Sequence, residues 1–153
     1  MARLEDLPEQ LREYLLTLAL PSFPVTPWVR GPALARSRLA VVSTAGIHTS
    51  GDLPFFRGAA DFRVLRLETP IRDLVMSHVS KSFDRTGFKQ DPNVVFPLDR
   101  LRDMVKAGEV GSLAREHYSF MGATDPAAME PSARKAAGLM HRDGVTSVFL
   151  VPV

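Results

Sequence analysis

Apolar side chains recur at Leu7, Leu11, Leu15 and Leu18, close to a helical repeat, so residues 5–19 are expected to form an amphipathic helix that closes before Pro21. Pro21, Pro24, Pro27 and Pro32 then impose an extended connector, in which Trp28 is expected to anchor against the body. Residues 38–42 read as the first strand. A polar turn over residues 43–52, containing Gly46 and Gly51, follows it. Backbone N–H groups in such a turn can approach an anion or a carboxylate closely, and a plain tight turn accounts for the same residues equally well. There is no dinucleotide or Walker glycine pattern. Residues 62–67 alternate apolar and basic side chains, the period of a strand with one exposed face. Residues 74–78 read as a short strand or the end of a helical turn.

Next comes the richest polar stretch, with Ser77, His78, Ser80, Lys81, Asp84, Arg85, Lys89, Asp91 and Asn93, expected to be a long loop packed through Phe83 and Phe88. Residues 97–108 carry helix signals at both ends: Pro97 at the first turn, Asp99 at the positive end of the dipole and Gly108 as a stop. One or two strands are expected over residues 110–121, and a second helix over 127–142 with Gly144 behind it. Residues 144–153 form an apolar, β-branched run, expected to be a central strand covered on both faces. Strands alternating with helices predict an α/β fold, a mainly parallel sheet flanked by helices in a Rossmann-like layered domain. The expected division is a helix and Pro-rich connector over 1–37 and the α/β domain over 38–153. In such sheets ligands bind beyond the carboxyl ends of the strands.

Composition narrows the function. The 153 residues suffice for one domain with a real core. The 19 basic and 17 acidic residues are scattered, which is no nucleic-acid footprint. No apolar run approaches membrane-spanning length, and Glu5 and Asp6 stand where a signal peptide would be basic, so no membrane association and a cytoplasmic location are expected. Cysteine is absent, which removes disulfides and thiol nucleophiles from the chain itself.

Four histidines, His48, His78, His117 and His141, lack metal-binding spacing, so no metal site is expected. His141 suits a helix carboxyl end. His48 and His78 each closely follow a predicted strand, near the edge where ligands bind, and Asp84 and Asp91 join them if the polar loop folds back. Such a group could orient a proton donor or hold a substrate amine and carboxylate. A loop whose polar groups bond to one another is the plainer reading of the same residues.

Several blocks occur in order over about residues 38–153: Ser43-Thr44-Ala45-Gly46-Ile47-His48, Ser77-His78, Asp84, Asp91-Pro92-Asn93-Val94-Val95-Phe96-Pro97-Leu98-Asp99-Arg100-Leu101, Tyr118-Ser119-Phe120-Met121-Gly122 and the strand at 148–153. Together they resemble the selenoprotein subunits of D-proline reductase and of glycine, sarcosine and betaine reductase. The resemblance implies reductive cleavage of a carbon–nitrogen bond in an amino acid or its N-methyl derivative. It also implies a nucleophilic selenocysteine, or a cysteine in its place, just after Val153, and partner reductase subunits, one of them carrying a pyruvoyl group that activates the substrate amine. Thr44, Gly46, His48, Ser77, His78, Asp84, Asp91 and Asp99 become the substrate-binding candidates, although Asp99 is also explained by its place in a first helical turn. No catalytic residue is then expected within the chain, which is expected to be the C-terminally incomplete front part of a larger subunit, inactive alone and self-associating into a homo-oligomer through apolar edges. The alternative is a non-catalytic small-molecule-binding or scaffold module of the same fold.

Overall fold

β1 (Arg38–Ser43) is the strand on which the main sheet hangs. Along one side it pairs in parallel with β5 (Ser112–Leu113) and then with β6 (Glu116–Ser119), and along the other with β7 (Ser147–Val151). β3 (Arg63–Arg66) closes the far edge antiparallel to β6. Three residues beyond β1 the chain enters β2 (Ile47–Thr49), which forms a separate antiparallel pair with β4 (Leu74–Met76). The structure, a computed structural model, describes residues 3–19, 22, 24–80 and 83–153. Pro21 and Lys81, assigned above to a helix stop and to the polar stretch, lie outside the described residues.

The ladder between β1 and its β5–β6 side is interrupted. Leu39 pairs with Leu113 and Val42 with Tyr118, so the chain bulges between the two short strands. The Val41 N–H that the bulge would strand donates instead to Nδ1 of His117 at 3.0 Å. A buried amide needs a partner, and here a side chain supplies it.

Two layers of helix cover the sheet. α3 (Leu98–Lys106) lies on one face, where Leu98 and Leu101 join Leu39, Val41, Leu65, Val95 and Phe96 in the largest core cluster. Each such buried leucine contributes roughly 1.5–3 kcal/mol relative to exposure. Gly108, at φ 74°, ends this helix in the left-handed region open to glycine. On the opposite face α4 (Pro126–Arg142) packs Met129, Ala136, Leu139 and Met140 against Val42, Phe62, Val64, Tyr118 and Phe120. It starts where Asp125 accepts the Ala127 N–H at 3.0 Å, with Pro126 in the first turn. The fold is therefore α/β, with a curled, mainly parallel sheet between helices.

Several expectations need correction. β7 is parallel, but it is an edge strand and not a central one: it pairs only with β1, and Val148, Phe149 and Leu150 are 44%, 44% and 56% exposed. α4 covers β1, β6 and β3 and leaves β7 aside, and an apolar run records only that a strand can be covered. Trp28 is 79% exposed and anchors nothing. The turn after β1 is shorter than expected because residues 47–49 pair as β2. The polar stretch contains α2 (Thr86–Gln90) and a 3₁₀ turn at Pro92–Val94, each entered through an aspartate that accepts a nearby N–H. The N-terminal helix is α1 (Glu9–Thr17), after a 3₁₀ turn at Leu4–Asp6, and it buries none of its residues.

Candidate functional site

Thr44, immediately after β1, joins the carboxyl ends of three strands. Its N–H donates to the Val151 carbonyl at 3.1 Å and its carbonyl accepts the Gly122 N–H at 2.8 Å. Its hydroxyl accepts the Val153 N–H at 2.8 Å. Here backbone meets backbone, and a Cβ on Gly122 would fall 2.6 Å from the Val153 carbonyl oxygen and 2.9 Å from that of Thr44. Beside this junction lies an open pocket of about 240 Å³ lined by His78, Ser80, Phe83, Gly122, Ala123 and Val153.

The small β2–β4 sheet delivers His78 to the pocket. Gly46, at φ 64°, turns the chain out of β1 so that its carbonyl accepts the Ser77 N–H at 3.0 Å. A side chain at Gly46 would meet Met121 Cε at 2.7 Å and His78 Cα at 3.2 Å, so both the turn and the close approach require glycine. The Ser77 hydroxyl accepts the Phe55 N–H at 2.7 Å, fixing the chain between the end of β4 and His78.

His78 is buried, its ring 4.8 Å from that of Phe83. Nδ1 accepts the Ser80 N–H at 3.2 Å, which places the ring hydrogen on Nε2, a donor without a hydrogen-bond partner among the described residues. Arg85 donates its guanidinium to the His78 carbonyl. Burial, and then the Arg85 charge, hold the His78 pKa below the ordinary histidine value, favouring a neutral ring. The site thus combines a neutral imidazole whose Nε2–H is buried and unpaired among the described residues, a nearby positive charge, an aromatic wall and a close-packed backbone floor. That set suits the carboxylate end of a small amino-acid-like molecule.

Of the sequence candidates, Thr44, Gly46, Ser77 and His78 come together here. His48 is buried within β2, its Nδ1 donating to the Thr49 carbonyl at 2.7 Å and its Nε2 without a partner among the described residues. It does not line the pocket. His48 lies within the small antiparallel sheet, whereas His78, two residues beyond β4, reaches the carboxyl edge of the parallel sheet. Asp84 accepts the Thr86 N–H at 2.8 Å, and hydrogen bonding to Thr86, first through its side chain and then through this N–H, keeps the Asp84 pKa low. Asp91 and Asp99 gather around Asn93 instead. Asp91 accepts from Asn93 Nδ2 at 2.8 Å, Asn93 Oδ1 accepts the Asp99 N–H at 3.1 Å, and Asp99 pairs with Arg102 at 2.6 Å. Gly122 and Arg85 belong to the site but were not singled out as candidates. The signal for Gly122 was its place directly after the Tyr118–Met121 block, for Arg85 a lone guanidinium seven residues from His78.

The family model for glycine/sarcosine/betaine reductase selenoprotein B matches residues 12–153. The chain belongs to that family. Among curated relatives, D-proline reductase subunit gamma of Acetoanaerobium sticklandii is 30% identical over 115 residues, covering 73% of this chain and 47% of that one. Betaine reductase complex component B subunit beta of Peptoclostridium acidaminophilum is 29% identical over 123 residues, 76% of this chain and 28% of the relative. Glycine reductase complex component B subunit gamma of the same organism is 27% identical over 144 residues, 90% of this chain and 33% of the relative. The chain therefore spans about half or less of the length of these relatives, all named as subunits. No solved structure matches it. Among the described residues no helix is long and apolar enough to cross a membrane, and no cluster of histidine and carboxylate side chains could hold a metal ion.

Proposed function

We propose that this chain supplies the substrate-holding part of a cytoplasmic amino-acid reductase subunit, one that takes part in reductive cleavage of a carbon–nitrogen bond in an amino acid or N-methylated glycine. The observation that carries this reading is the pocket at the carboxyl ends of β1, β6 and β7, where a buried, neutral His78 meets the backbone junction of Thr44, Gly122 and Val153. The working unit is the Rossmann-like domain of residues 38–153. His78 Nε2–H donates to the substrate carboxylate, Arg85 lends that end of the pocket positive charge, and Phe83 excludes water from one side. Asp84, Asp91 and Asp99 shape the segment that closes the pocket, and His48 supports the strand pair behind it.

The reducing group comes from outside these 153 residues, which contain no cysteine. A selenol or thiol brought to this edge would supply the electron pair for carbon–nitrogen cleavage, and the donors present suit its anionic form. Activation of the substrate amine belongs to a partner subunit.

Titration calorimetry and histidine-ring NMR with D-proline, glycine, sarcosine and betaine test the reading. One of the four is expected to bind and to shift the His78 ring signals, with His78→Ala weakening binding about tenfold or more, the loss of one charge-assisted hydrogen bond. No binding by any of the four, or binding that ignores His78→Ala, overturns it.

A further inference from the structure

On the α4 side of the sheet, α4 covers β1, β6 and β3 and stops short of β7. What remains beside it is an apolar trench of about 530 Å³. Val148 and Leu150 form its floor, Ala137 and Met140 one wall, and Trp28 and Val29 the other. In a layered α/β fold this is the place of a further helix, lying on the edge strand next to its neighbour. The chain also carries a helix without a seat: α1 presents Leu11 and Leu15 at helical spacing, with Leu18 at its C-cap, all exposed, and α1 buries none of its residues.

Charge matches the two. Residues 3–19 carry four acidic and two basic side chains, whereas the trench lining contains no carboxylate and includes His141, and Arg30 stands in the chain between the lining residues Val29 and Gly31. The connector decides which copy supplies the helix. Pro27, Trp28 and Val29 already form a wall of the trench, while α1 of the same chain contributes no residue to its lining and buries none of its own.

We propose that two copies of this chain form a two-fold dimer in which α1 of each lies in the β7–α4 trench of the other. The exchange is isologous, so two helix-in-trench contacts form at once, and each covers an exposed edge strand. The proposal does not depend on the reductase reading, since it concerns a different surface from the His78 pocket.

Trp28, the single tryptophan, sits in the trench wall and reports on its occupancy. Sedimentation velocity and tryptophan emission of the full chain, from micromolar to millimolar concentration, are expected to show a monomer–dimer equilibrium and a blue shift that track each other. The pair Leu11→Glu and Leu15→Glu, at positions buried against nothing, and separately Leu150→Glu in the trench floor, should each weaken dimerisation about tenfold or more without lowering the melting temperature of the monomer. A monomer at every concentration overturns the proposal, as does a dimer indifferent to both sets of substitutions. So does a blue shift that is independent of concentration yet lost on substituting α1, since that would seat the helix in its own chain.

Discussion

At the scale of single residues, His117 ties acid stability to one imidazole. Its Nδ1 can accept the Val41 N–H only while unprotonated, and the ring lies fully buried with Phe96 edge-on at 5.8 Å. Burial, reinforced by the Arg102 charge and opposed by Asp143, lowers its pKa from 6.5 to about 4. The unfolded chain therefore binds the extra proton first. Stability is intact above pH 6.5 and falls by roughly 1.4 kcal/mol per pH unit down to about pH 4, near 3 kcal/mol in all. His78, also lowered, acts in the same direction. Urea denaturation across this range should show the slope. His117→Leu should cost about 1–3 kcal/mol at pH 8, where it strands the Val41 N–H, and should flatten the dependence below pH 6.5; an unchanged slope would rule the account out. In the sequence His117 is only a histidine without metal spacing. Its role arises from a bulge between two short strands, which a residue pattern does not record. Gly46 and Ser77 were more legible, because a left-handed turn and a strand end leave local marks.

Among the elements, the joint at Asp143 holds α4, β1 and the β5–β6 bulge together. Its carboxylate accepts from Arg38 Nη2 at 2.9 Å, Arg115 Nε at 2.8 Å and the Arg115 N–H at 2.7 Å. Burial pushes its pKa up, but the Arg115 N–H and guanidinium and then Arg38 outweigh it and hold it at about 2. Its contribution is therefore complete above the ordinary value of 3.8 and is lost as pH falls toward 2. Asp143→Asn is expected to lower stability at neutral pH by about 1–3 kcal/mol in chemical denaturation; a variant as stable as the parent would show that the joint contributes nothing. Helices α3 and α4 were legible because their end signals are local, in Pro97, Gly108 and Gly144. The stretch over 77–93 was not, since α2 is only five residues long and the aspartates beside it, Asp84 before its Arg85 N-cap and Asp91 at its C-cap, resemble site carboxylates.

For the whole molecule, every strand of the main sheet except β3 depends on β1 directly. Amide hydrogen exchange should therefore be slowest at Val41 and Val42 and fast throughout α1; comparable protection in α1 and β1 would contradict this hierarchy. The alternation that revealed an α/β sheet could not reveal strand order, and so placed β7 at the centre. Order depends on which neighbour each strand finds, information spread over more than a hundred residues between Leu39 and Ser147. The pairing of β1 with β7 also has a mechanical side. The two strands run parallel in register over five residue pairs, so tension applied through the connector before Arg38 and through Val153 pulls them in opposite directions along their length. Such a load shears all five pairs together instead of unzipping them one by one, which makes this seam the stiffest path for force through the domain.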